Sequence, residues 1–156
     1  MYMHRSTHVE TANEGIFPVT SSTYPCLCAL IRKAGRVATR SYDKCLKPCG
    51  LKVTQLGMLA KIARRPSITV SELAESLAMD QTTVSRNLRV LERSGYISLD
   101  DEMTDHRVRR IRISDSGISK MNEAIPFWEK AQLDMERLLG RENIDVMMDI
   151  VKKLTR

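Results

Sequence analysis

The sequence predicts a mainly α-helical chain with one small β-hairpin, and three observations carry that expectation. Apolar residues recur at helical spacing over most of the chain from Tyr24 onward. Two short segments in the middle each carry their own helix-capping signal. A stretch in which aliphatic and arginine residues alternate follows them, and that period of two belongs to a strand. At 156 residues, 42% of them hydrophobic, the chain fits one domain with a moderate core.

Met1 to Thr23 is polar, rich in Ser and Thr and without period, so residues 1–23 read as a disordered tail. From Tyr24 to Lys47 the residues Leu27, Leu30, Ile31, Ala34, Val37, Ala38, Tyr42 and Cys45 mark one long helix, stopped by Pro48 and Gly50. Thr54 to Arg64 makes a second helix, ended by Pro66. In ITVSELAESLAM, Thr69 and Glu72 stand at capping-box spacing, and Val70, Leu73 and Leu77 form the apolar side of a short helix. DQTTVSRNLRVLERSG is the next, with Asp80 to cap its start and Gly95 to end it. Its Val84, Leu88 and Leu91 form a buried stripe, opposite Thr82, Ser85, Arg86, Arg89 and Arg93. Tyr96–Leu99 and Val108–Ile113 pair as strands across the polar tip DDEMTDHR, with Ile111 and Ile113 inward and Arg110 and Arg112 outward. Ser114 caps a long helix to about Leu139, bent at Pro126. Glu142 to Leu154 closes the chain with Ile144, Met147, Met148, Val151 and Leu154 inward.

Two short helices joined by a tight turn make a helix-turn-helix, whose second helix fits a major groove about 12 Å wide. On that reading Gln81, Thr82, Thr83, Ser85, Arg86 and Arg89 contact the major groove of double-stranded DNA, since guanidinium groups read guanine edges or phosphates and hydroxyls take phosphate oxygens. The hairpin is then a wing, with Arg107 placed for a minor groove and Asp105 to hold its guanidinium. A solvated helix face and an ordinary surface hairpin are the plain alternatives. A net charge of +6 favours a polyanionic partner without naming one. Between Cys26 and Arg65 ten Lys or Arg residues face the single acid Asp43, a basic stretch that flanks DNA, lines a pocket for an anion, or is merely solvated.

Asp105-x-Arg107, followed by Ile111-x-Ile113-Ser114 and Gly117, resembles the wing signature of the MarR family. SELAESLAMDQTTVSRNLRVLERSGYI is similar to that family's helix-turn-helix, and YDKCLKPCGLKVTQLGMLAKI to the end of its first helix and the helix after it. The likeness covers about residues 26 to 139. It departs at Leu99, where many members carry arginine. The resemblance implies a winged helix-turn-helix DNA-binding domain over 51–114, with dimerisation helices over 24–50 and 115–156 that intertwine in a homodimer. Two recognition helices would then face successive major grooves about 34 Å apart on a pseudo-palindromic operator. It also implies a small anionic or aromatic effector, held between the winged domain and the dimerisation helices near Arg36, Arg40 and Trp128. The expected protein is a cytoplasmic regulator, a repressor in its ground state, with no cofactor.

The four cysteines offer a second reading. Cys28 and Cys45 lie about 25 Å apart along a helix, too far for one metal to bridge, so no four-cysteine zinc site is expected within a chain. Cys28 and Tyr42 resemble the reactive cysteine and one of the tyrosines of the family's hydroperoxide-sensing branch, with the tyrosine coming from the partner subunit. Val53 stands where the second tyrosine would be, and no later cysteine is placed to resolve a sulfenic acid. An enzyme is the rival from another class, and it finds little support. His4, His8 and His106 lie in the tail and the hairpin tip, and there is no nucleophile elbow, Gly-rich phosphate loop or HExxH. No apolar run of membrane length is present.

Overall fold

The structure, a computed structural model, describes residues 24–101 and 109–155. The described residues divide into two units on either side of a boundary between Ala38 and Thr39, inside the first helix, α1 (Leu27–Leu46). In the first unit α1 begins after Pro25 rather than at Tyr24, because the residue before a proline is pushed out of helical conformation. There it leaves Leu27, Leu30, Ile31 and Val37 exposed.

The second unit holds the core. α1 ends at Leu46 and passes into a 3₁₀ turn at Lys47–Cys49, closed by Gly50 in the left-handed conformation at φ 73°. α2 (Val53–Arg64) starts where Asp43 Oδ1 accepts the Val53 amide at 2.8 Å, so the one acid of the basic stretch serves as a helix cap. β1 (Ile68–Thr69) leads into α3 (Val70–Ser76), then α4 (Gln81–Arg93), β2 (Ile97–Asp101) and β3 (Arg109–Ile113). The three strands form an antiparallel sheet in the order β1-β3-β2. Ile68 stands opposite Ile111, and Ile97 opposite Ile113. β1 was not expected from the sequence, for two residues carry no period.

α5 (Asp115–Leu139) runs on through Pro126, whose ring nitrogen cannot bond the Asn122 carbonyl, and α6 (Arg141–Leu154) follows. Leu46, Met58, Leu59, Ile62, Leu73, Val84, Leu88, Leu91 and Ile111 are almost wholly buried and build one cluster beneath the helix pair and the sheet. α6 corrects one expectation. Met147, Met148, Val151 and Leu154 are exposed rather than inward, Ile144 is half-buried, and the helix has no buried residue, so its apolar period faces no core among the described residues. Among the described residues no helix is long and apolar enough to cross a membrane.

Candidate nucleic-acid interface

Local chemistry places α3 and α4. Thr69 accepts the Glu72 amide through Oγ1 at 3.2 Å and gives its own amide to Glu72 Oε2 at 2.8 Å, the reciprocal box expected from the spacing. The amide and then the hydroxyl of Thr69 hold the Glu72 carboxyl below its ordinary pKa. At the head of α4, Asp80 Oδ1 accepts the Thr83 amide at 2.8 Å and Oδ2 the Thr83 hydroxyl at 2.6 Å. Those bonds, the hydroxyl's first, lower the Asp80 pKa. Ala78, in the turn between the two helices, is left-handed at φ 49°, a conformation that disfavours any residue with a Cβ.

With Val84, Leu88 and Leu91 in the core, the rotation of α4 is set, and its other side meets solvent. Gln81, Thr82, Arg86 and Arg89 are exposed there, and Ser85 is half-buried. Thr83 is also half-buried, and its hydroxyl is engaged by the cap, which limits what it can donate to a phosphate. Gln81 Nε2 donates to Ser71 Oγ at 3.2 Å, linking the two helices on the exposed side, and Arg93 Nε donates to the Arg89 carbonyl at 3.2 Å. The Gln81–Ser71 bond could not be read from sequence, because it depends on how the helix pair closes, whereas the Arg93 bond lies within α4.

In the hairpin, Ile111 is buried and Ile113 half-buried, whereas Arg112 is exposed and pairs with Asp100 at 2.9 Å. Arg110 is half-buried, and its Nη1 donates to the Ser67 carbonyl at 3.2 Å. Asp105, His106 and Arg107 lie outside the described residues. Below the hairpin, Ser114 Oγ accepts the Gly117 amide at 3.0 Å, while the hydroxyls of Ser114 and Ser116 both donate to the Gly95 carbonyl at 2.6 Å. The end of α4 is thereby tied to the start of α5.

The remaining candidates are more scattered. Cys28 and Cys26 are exposed at the start of α1, Cys45 is half-buried, and Cys49 is buried with its thiol donating to the Leu46 carbonyl at 3.0 Å. Tyr42, near the other end of α1, donates its hydroxyl to Gln132 Oε1 of its own chain at 2.6 Å. Burial, and then the charge of Glu136, raise its pKa. Arg36 and Arg40 are exposed on α1, and Trp128 is exposed on α5. Among the described residues no group of three or more His, Cys, Asp or Glu is arranged to hold a metal.

A model of the MarR family matches residues 50–107, the stretch from the start of α2 into the hairpin. The M. tuberculosis transcriptional regulator MosR, in its crystal structure with DNA, is 33% identical and superposes with a TM-score of 0.73, over 81% of this chain and 92% of that one. Two curated relatives are the HTH-type transcriptional regulators YdgJ of Bacillus subtilis, 22% identical over 67% of this chain, and SarZ of Staphylococcus haemolyticus, 27% identical over 60%. The chain spans just under two thirds of each, 64% and 63%. Members of this family are transcriptional regulators and not enzymes. Family model, superposition and helix-turn-helix geometry agree, and the chain belongs to the MarR family of transcriptional regulators.

Proposed function

We propose that the protein is a sequence-specific, DNA-binding repressor that acts as a homodimer on a pseudo-palindromic operator in the cytoplasm and is released by a small anionic or aromatic effector. The observation that carries DNA binding is α4 itself: one side is locked into the core by Val84, Leu88 and Leu91, while the other presents Gln81, Thr82, Arg86 and Arg89 to solvent beside an arginine-bearing hairpin. The fact that the similar MosR crystallised with DNA supports the same reading. A homodimer is supported by the uncovered apolar side of α6, where Val146, Met147, Ile150, Val151 and Leu154 are all about half exposed or more.

Roles within the interface follow from position. Arg86 and Gln81, toward the start of α4, read bases; Arg89, Thr82 and Ser85 meet phosphates, with Thr83 at their margin; and Arg107, supported by Asp105, enters the minor groove. The test is anisotropy titration of a pseudo-palindromic fragment from the promoter beside the protein's own gene, against a random duplex. Arg86→Ala costs about 1–3 kcal/mol on the operator and relaxes specificity, Arg89→Ala weakens both duplexes alike, and Arg107→Ala abolishes tight binding. Equal affinity of the unaltered protein for both duplexes refutes sequence-specific control.

A second reading, thiol-based peroxide sensing through Cys28, is favoured by one observation: Cys28 is exposed whereas Cys49 is buried and hydrogen-bonded. For Tyr42 of a partner to stabilise the thiolate, its hydroxyl must leave Gln132. Operator affinity before and after stoichiometric organic hydroperoxide, in the natural chain and in Cys28→Ser, decides between the readings. Unchanged affinity with titratable thiols leaves the small-molecule effector.

A further inference from the structure

Arg110 stands apart from the other arginines of the hairpin and helix pair. It lies on the polar side of β3 with Arg112, opposite Asp100 of β2 and Thr69 of β1. Arg112 is exposed and ion-paired, as a solvent-facing arginine would be. Arg110 is instead half-buried, and its Nη1 reaches back across the sheet to the carbonyl of Ser67.

Ser67 is no ordinary acceptor. Its backbone is left-handed at φ 68°, a conformation that a residue with a Cβ adopts only when its surroundings compel it. The turn it makes follows α2, and the Ile68 amide donates to the Arg65 carbonyl across it at 3.2 Å. Directly after it come the two residues of β1 and then the Thr69–Glu72 box that starts α3. Two of the contacts that join the hairpin to the front of the helix pair bear on its angle. One is the ladder pairing Ile68 with Ile111 and Thr69 with Arg110, and the other is the Arg110 side chain on the Ser67 carbonyl. A two-residue ladder is short and holds an angle poorly by itself. A charged donor on a neighbouring carbonyl adds a third fixed point.

We propose that Arg110 is a positioning residue rather than a phosphate contact: it ties β3 to the left-handed turn at Ser67 and so sets the angle at which the hairpin stands against the α3–α4 pair. The inference rests on the DNA-binding reading, because the angle matters only if hairpin and recognition helix engage one duplex together. An arginine that neutralised a phosphate would contribute to the salt dependence of binding. A positioning arginine contributes to affinity and leaves that dependence unchanged.

The experiment uses the full chain and a duplex selected by the natural protein from a randomised pool, titrated over a range of salt far below the melting temperature. Arg110→Ala is expected to bind about tenfold more weakly, with an unchanged slope of log affinity against log salt, and Arg110→Lys, which retains one charged donor, to recover at least half of the loss. A slope shallower by about 0.9 in Arg110→Ala makes Arg110 a phosphate contact and overturns the proposal. Unchanged affinity with a lowered melting temperature reduces it to a contributor to the fold and overturns the proposal equally. If the natural chain selects no duplex at all, the DNA-binding reading fails and this one falls with it.

Discussion

Gly117 is the third residue of α5, a position where alanine ordinarily strengthens a helix by about 1 kcal/mol over glycine. Here the reverse is expected. A Cβ on Gly117 would be driven into the Tyr96 carbonyl oxygen and would lie 3.0 Å from the carbonyl carbon and 2.9 Å from Ile113 Cγ1. Two of these three atoms belong to the backbone, so no side-chain rotation relieves the clash. The start of α5 must back away, and that strains the bonds that dock it: Ser114 N to Tyr96 O at 3.0 Å, and the two serine hydroxyls on the Gly95 carbonyl. Overpacking against backbone costs about 3 kcal/mol, and a weakened cap adds about 1. Less the propensity gain, Gly117→Ala loses about 3 kcal/mol. For a chain of this size that corresponds to a melting temperature lower by about 6–12 °C. Circular dichroism melts at fixed protein concentration measure it, with Gly57→Ala as the internal contrast. Nothing lies within 4 Å of a Cβ at Gly57, in the interior of α2, so that variant should melt higher, by an amount reflecting about 0.5–1 kcal/mol. An unchanged or raised melting temperature in Gly117→Ala would refute the close approach of α5 to Tyr96.

Three further outcomes are expected. Ala78→Gly relieves the left-handed turn between α3 and α4, and the net gain after glycine's larger unfolded-state entropy is about 0.5 kcal/mol, read by urea denaturation; a loss would mean that packing of the Ala78 methyl outweighs the backbone strain. The Asp80 carboxyl is held below its ordinary pKa of 3.8 in the folded chain, so its contribution is present above that value and is lost as pH falls through the lowered one. Asp80→Ala should therefore melt lower than the natural chain at neutral pH, and the two curves should converge as the pH drops below the ordinary value. For the proposed homodimer, Val151→Glu places a charge on the exposed apolar side of α6, and sedimentation equilibrium should show dissociation to monomers with helix content largely kept. A Val151→Glu variant that remains a dimer would remove α6 from the contact.

What could be read in the sequence was local chemistry. Thr69, Asp80, Ser114 and Gly95 announce helix ends through bonds to their own neighbours within three residues, so each appears where the spacing placed it. Val84, Leu88 and Leu91 fixed the buried side of α4 by period alone, and with it the exposed one. What escaped depends on residues far apart in the chain. β1 exists because Ile68 and Thr69 meet β3 some forty residues later, and Arg110 finds Ser67 across the same gap. The sequence also gives no sign that Thr83 spends its hydroxyl on Asp80, since a threonine in a first helical turn serves a cap or a phosphate equally well. α6 misled in a different way. Its apolar period is real, but periodicity states that a side is to be covered and not which chain covers it.

The order β1-β3-β2 has a consequence for how the molecule behaves at high concentration. β3 lies in the middle, so its arginine-bearing backbone is hydrogen-bonded on both sides where β1 reaches it. That leaves β2 as the longer outer strand, and an outer strand is a template on which another chain can build. β2 is only five residues long and ends in Asp100 and Asp101. A second copy of β2 laid antiparallel along that edge would carry its own acids into the same short ladder. A parallel copy in register would set aspartate against aspartate. The hairpin is thus poorly suited to seeding an intermolecular sheet, and the pairing of Asp100 with Arg112 keeps that acidic end anchored to its own strand neighbour.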